Sequence, residues 1–165
     1  MSNIKRLVKE YKDIKTDNEC ISNGISVELV KNGDFTKWYA IIEGPEGTPY
    51  HNGLFKLDIT IPPNYPFKPP YIKFDTRIFH PNINSSGEIC IDILKSNWSP
   101  ALTLGKTLVS LVAFLANPNP DDPLDGAAAN LYKTNRLEFN KKVRDMVLEY
   151  ASDPILKEKV AKNKK

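Results

Sequence analysis

The sequence predicts an α+β domain, and three observations carry that prediction. Twelve of the thirteen prolines fall between Pro45 and Pro123, which leaves both ends of the chain nearly proline-free. Proline lacks the backbone donor and clashes inside a helix, so the two ends suit helices. Between them, β-rich runs follow one another with turn residues at their junctions, the pattern of an antiparallel meander. Beyond residue 103 comes an apolar stretch of helical rather than strand length.

The elements follow in order. Ser2 is placed as an N-cap, and Ile4, Leu7, Val8, Tyr11 and Ile14 then share one face at helical spacing, with Lys5, Arg6, Lys9 and Lys12 on the other side. ISVELV (25–30) and KWYAIIEG (37–44) flank a turn containing Asn32-Gly33 and form a hairpin. GPEGTPYHNG (44–53) is a loop. LFKLDITIP (54–62) alternates apolar and polar residues, a third strand with one wet face. PPNYPFKPPYIKFDT turns and delivers a short fourth strand near Tyr71–Phe74. Residues 76–103 have little period of their own, and a long irregular stretch inside a compact domain is usually functional. LGKTLVSLVAFLAN (104–117) is a central helix, and NPNPDDPLDG (117–126) is a loop by its turn composition. The remainder is helical, with Thr134 capping a helix that turns Leu137, Val143, Val147 and Tyr150 inward.

Composition bounds the function. A chain of 165 residues with 41% hydrophobic and 26% charged residues is one globular domain. The net charge of +3 belongs to residues 157–165, which hold five lysines and one glutamate, so the body is near neutral. Neither nucleic acid nor membrane is expected as a partner, and the lysine-rich end reads as a solvated, partly disordered tail. Two cysteines, Cys20 and Cys90, cannot form a disulfide framework, and the charged, amphipathic N-terminal segment does not resemble a signal peptide. A soluble protein of a reducing compartment, with free thiols, is the expectation.

Cys90 lies in SGEICIDIL (86–94), inside the irregular stretch. A buried filler is the ordinary role of a free cysteine. Metal binding would need several ligands, and Cys20, Cys90, His51 and His80 offer no CxxC or HxxxH spacing. A cysteine protease would need a base, and His80, ten residues upstream, is more at home bonding loop backbone. A third role is acyl transfer. A thiolate takes an acyl group from another thioester in a nearly balanced exchange. An oxyanion donor is then needed, and for a lysine acceptor a group that helps the amine lose its proton. Asn82 in HPN is a candidate donor, while Asp92 and Asp122 are candidate carboxylates. Each has a plain alternative: Asn82 holding a turn, Asp122 capping the next helix.

The set of motifs narrows these options. YPFKPP, HPNIN, Gly-x-Ile-Cys-Ile-Asp-Ile-Leu, NWSPALT and NPNPDDPL, in this order over residues 1–152, resemble the ubiquitin-conjugating (E2) enzymes, and most of all the single-domain, general-purpose members that act with RING-type ligases. The resemblance implies a UBC-like fold for residues 1–152, followed by a short lysine-rich tail over 153–165 with no family counterpart. It implies that Cys90 forms the thioester, that Asn82 stabilises the oxyanion or holds the active-site loop, and that Asp122 and Asp92 assist lysine attack. Val109 and Asn119 fall where the family contacts donor ubiquitin. Lys5, Arg6, Phe67, Pro100 and Ala101 fall where it meets the activating enzyme (E1) and the ligases (E3). The Tyr65–Pro66 bond falls where the family has a candidate cis peptide. Partners are then ubiquitin, these two enzyme classes and substrate proteins. The protein is expected to be a monomer of the cytoplasm or nucleus without a cofactor, ATP being used by the activating enzyme. Departures are Phe79 for a common tyrosine, Val109 for leucine, and LDGAAANL after PDDP. A ubiquitin-like cargo, and an inactive scaffold that only binds ubiquitin, remain as alternatives.

Overall fold

A computed structural model describes residues 3–163, so the expected Ser2 cap lies outside the described residues. Asn3 occupies the N-cap position without a side-chain capping bond. Helix α1 (Ile4–Thr16) buries Leu7, Glu10 and Ile14, whereas Ile4 is exposed. The apolar stripe was therefore read correctly at its centre but missed a buried acid. A short helix α2 (Asn18–Ser22), capped by Asp17, buries Cys20 and was not expected.

Strands β1 (Ile25–Leu29), β2 (Lys37–Glu43), β3 (Leu54–Thr60) and β4 (Tyr71–Phe74) form an antiparallel sheet in sequence order, as the meander pattern predicted. Its register places Val27, Ala40 and Leu57 across from one another, and likewise Leu29, Trp38 and Ile59. That apolar face packs against α3 (Leu104–Ala116), which buries Leu104, Leu108, Leu111, Val112 and Leu115. Thr103 caps α3 by accepting from the Lys106 amide at 3.1 Å. Helices α4 (Gly126–Thr134) and α5 (Arg136–Tyr150) follow.

Two expectations fail in this last part. The cap of α5 is Asn135 rather than Thr134, accepting from the Glu138 amide. The inward residues are Phe139, Val143 and Val147; Leu137 is 83% exposed and Tyr150 is also exposed. Phe139 wins the inward position because its ring docks on Phe79 at 5.6 Å and Tyr132 at 5.0 Å.

The lysine-rich end also differs from a solvated tail. Residues Pro154–Asn163 form α6. Asp153 starts it, its carboxylate accepting from the Ile155 amide at 2.8 Å, and Pro154 follows as the first helical residue. Leu156 and Val160 pack on Ile41 and Leu54 of the outer sheet face, and Lys159 Nζ donates to the Tyr39 hydroxyl at 2.9 Å. The lysines point away from an apolar pair, which is the ordinary geometry of an amphipathic surface helix.

Candidate active site

The site is built on the irregular stretch after β4. Gly87 has φ +83°, and a Cβ there would lie 1.9 Å from the Phe74 carbonyl oxygen, so only glycine permits this approach. The Phe74 amide donates to Gly87 O at 2.9 Å, which fastens the segment to the end of β4. Ile89 and Ile91 are buried and Ile93 packs against the same core, while Asp92 is exposed and Cys90 is partly exposed. The backbone thus anchors itself through alternate isoleucines and turns Cys90 outward. A short 3-10 turn, Asp92–Leu94, ends the segment.

Cys90 Sγ lies 3.6 Å from Asp122 Oδ2 and 3.7 Å from Lys95 Nζ. The three side chains border an open cleft of about 560 Å³, also lined by Asp92 and Asn119. Asp122 comes from the loop after α3, thirty-two residues along the chain, so the fold brings together two groups that the sequence only suggested. Asp92 sits on the same cleft, but its carboxylate accepts from Asn97 Nδ2 at 2.8 Å.

Asn82 is 1% exposed and joins the two loops. Its Nδ2 donates to the Asn119 carbonyl at 2.7 Å and the Asp122 carbonyl at 3.0 Å, and its Oδ1 accepts from the Asn119 amide at 2.8 Å. Both amide hydrogens are spent on backbone, so this geometry supplies the loop-holding role and not the oxyanion donor. Asn82 O accepts from the Cys90 amide at 2.9 Å, and Pro81 O accepts from Leu124 and Asp125. Asp125, not Asp122, caps α4, which leaves the Asp122 carboxylate for the cleft.

His80 is fully buried beneath this frame. Its Nδ1 accepts from the Asn82 amide at 3.0 Å, which leaves Nε2–H to donate to Phe114 O at 3.2 Å. Burial pushes its pKa down to about 4. The neutral ring is a brace between HPN and α3 and not a base, as its loop position suggested. Cys20 is the other thiol; burial chiefly pushes it up to about 12, which keeps it protonated and inert.

The family model for ubiquitin-conjugating enzymes matches residues 6–147. The chain belongs to the ubiquitin-conjugating enzyme family. Solved structures agree. An E2 domain of a Toxoplasma gondii ubiquitin conjugating enzyme is 45% identical, with a TM-score of 0.80 over 89% of this chain and 97% of that one. A structure described as a ubiquitin conjugating enzyme from Plasmodium yoelii is 46% identical, with a TM-score of 0.84 over 93% of this chain and 98% of that one.

The remaining residues marked by the resemblance fall on two parts of this ubiquitin-conjugating enzyme. Phe67 is 78% exposed, and Pro100, Ala101 and Lys5 are exposed as well. Their loops meet through Trp98, whose Nε1 donates to Pro66 O at 2.8 Å, and through Arg6, whose guanidinium donates to Leu102 O at 2.9 Å. The Tyr65–Pro66 peptide is cis. Arg6 differs from expectation, since it also bonds Glu10 at 3.1 Å and is largely committed to structure. Sequence reading missed Glu10, which is 4% exposed and accepts from Tyr65 OH and the Leu104 amide. A lone acid between apolar positions of α1 was the available signal. Val109 is half-buried on α3 and packs against the core, whereas Asn119 lies at the cleft. Among the described residues no group of three His, Cys, Asp or Glu side chains could hold a metal.

Proposed function

We propose that this ubiquitin-conjugating enzyme carries ubiquitin as a thioester on Cys90 and passes it to lysine amines with a ligase. The observation that carries the reading is the outward-facing Cys90 thiol 3.6 Å from the Asp122 carboxylate at an open cleft. Cys90 thiolate attacks the thioester that joins ubiquitin's C-terminal carboxyl to the activating enzyme, and that enzyme's thiolate leaves. No strong base is needed because one thioester replaces another.

In the second step an incoming lysine ammonium settles beside Asp122, gives up its proton and attacks the acyl carbon, and Cys90 leaves as thiolate. Asp92 adds negative charge on the acceptor side. Asn82 is a positioning residue, since it sets where Asp122 stands. The end bearing Phe67, Pro100, Ala101 and Lys5 receives the RING-type ligase and the activating enzyme; an exposed aromatic between prolines is a rigid anchor for such a partner. A cysteine-bearing ligase is a second acceptor for the same thioester. Val109 and Asn119 contact the donor ubiquitin. The protein acts as a monomer in the cytoplasm or nucleus, and needs no cofactor of its own because ATP is used by the activating enzyme.

Charging reactions test this reading and its rivals together. Incubation with ATP, ubiquitin and the ubiquitin-activating enzyme should give an adduct that thiols release. Charging instead by the activating enzyme of another modifier would change the cargo. The absence of an adduct with every modifier would leave only a scaffold.

A further inference from the structure

Lys95 stands within reach of the reacting atoms and the transfer described above does not use it. Its Nζ lies 3.7 Å from Cys90 Sγ. Its backbone is fixed, the Lys95 amide donating to Asp92 O at 3.0 Å and the Trp98 amide to Lys95 O at 3.3 Å. Among the described residues no ion pair of 4.0 Å or less engages it. Among the described residues lining the cleft it is also the one lysine.

We propose that Lys95 is a self-modification site, taking the acyl group directly from Cys90 of the same molecule when no other acceptor arrives. This rests on the thioester reading above. An acyl carbon bonded to Sγ sits one bond from the sulfur, so an amine 3.7 Å from that sulfur is close to a near-attack distance. The Asp122 carboxylate, on the same sulfur at 3.6 Å, can accept the proton that the ammonium must lose.

The step balances without a further reagent. The neutral amine adds to the thioester carbonyl, the C–S bond breaks, and a C–N bond forms. Nζ loses one proton to make the amide, and the departing thiolate takes up a proton to become a thiol. The ammonium's other proton passes to solvent through Asp122. An amide replaces a thioester, so the reverse step does not occur under the same conditions. Ubiquitin is then fixed across the cleft, and the enzyme retires. Discharge to a substrate and self-modification compete for one acyl group, which makes acceptor supply the control.

The test is a single-turnover experiment on the full chain. The protein is charged with ubiquitin, the activating enzyme is stopped, and neither ligase nor free lysine is added. The products are treated with thiol and mapped by peptide mass. The expected result is a thiol-resistant single adduct on Lys95 that grows as the thioester decays. Lys95→Arg keeps the positive charge, and it should still form the thiol-sensitive adduct while giving about tenfold less of the resistant one or lower. A resistant adduct mapped only to other lysines, one unchanged in Lys95→Arg, or none while the wild-type thioester decays, each overturns the proposal. Failure of wild type to form any thiol-sensitive adduct overturns the thioester reading itself, and this proposal with it.

Discussion

Asn82 holds the backbone of Asp122. Its Nδ2 donates to the Asp122 carbonyl at 3.0 Å while the Asp122 carboxylate stands 3.6 Å from Cys90 Sγ. The same buried amide bonds Asn119 on both its donor and its acceptor side. One side chain therefore fixes the distance between the thiol and the carboxylate, although the two come from separate loops.

Removing that amide should disturb both stability and transfer. Asn82→Ala leaves the Asn119 amide and two carbonyls without partners, which costs about 2–4 kcal/mol in all by the usual cost of unsatisfied buried groups. Asn82→Asp keeps the size and the acceptor but turns a donor toward two carbonyls into an anion, so it should not rescue. Urea unfolding reads the stability, and single-turnover discharge onto free lysine should slow in both variants. An Asn82→Asp protein as stable as wild type would contradict the clasp.

Asp122 itself should matter for the second step. Asp122→Ala removes the carboxylate beside Sγ, so charging proceeds and discharge onto free lysine slows on the order of 10²-fold. The comparison is made on thioester prepared in advance. Equal discharge rates for the variant and wild type would remove Asp122 from the role.

Acid should destabilise the fold through His80. Its folded pKa, lowered chiefly by burial to about 4, lies below the ordinary 6.5 of the unfolded chain. The unfolded state binds the proton first as pH falls, so stability from the neutral ring is complete above about pH 6.5 and declines to about pH 4. The total is about 3 kcal/mol. Unfolding midpoints across this window should fall more steeply for wild type than for His80→Gln, and parallel slopes would refute the assignment.

The last helix should contribute to stability. Leu156→Ala removes packing against Ile41 and Leu54, at a cost of about 2 kcal/mol for a site near the surface. Ending the chain at Ser152 should lower the urea midpoint by at least as much. A truncated chain as stable as the full one would describe a solvated tail.

The sheet was legible because its signals are local. Alternation in LFKLDITIP and the Asn32-Gly33 turn specify pairing over a few residues, and Leu57 and Ile59 do face the core. Cys90 and Asp122 were legible as candidates through their motifs, yet their meeting depends on Asn82, whose bonds span thirty-seven and forty residues. No spacing rule reaches that far. Phe139 replaced Leu137 inside because an aromatic docking site on Phe79 is a tertiary feature. Helix α6 was hidden by its five lysines, although Asp153-Pro154 is a plain start signal and Leu156 and Val160 share a face. Charge was weighed as a bulk property there, where two apolar residues at helical spacing decided the structure.

The most direct measurement is the intact mass of the charged protein, taken for wild type and Cys90→Ser after reaction with ubiquitin, its activating enzyme and ATP. The wild type should gain one ubiquitin that thiol removes and that maps to Cys90. Cys90→Ser should carry a thiol-resistant oxyester or nothing. A thiol-labile adduct that survives in Cys90→Ser, or no adduct on the wild type, would contradict the account.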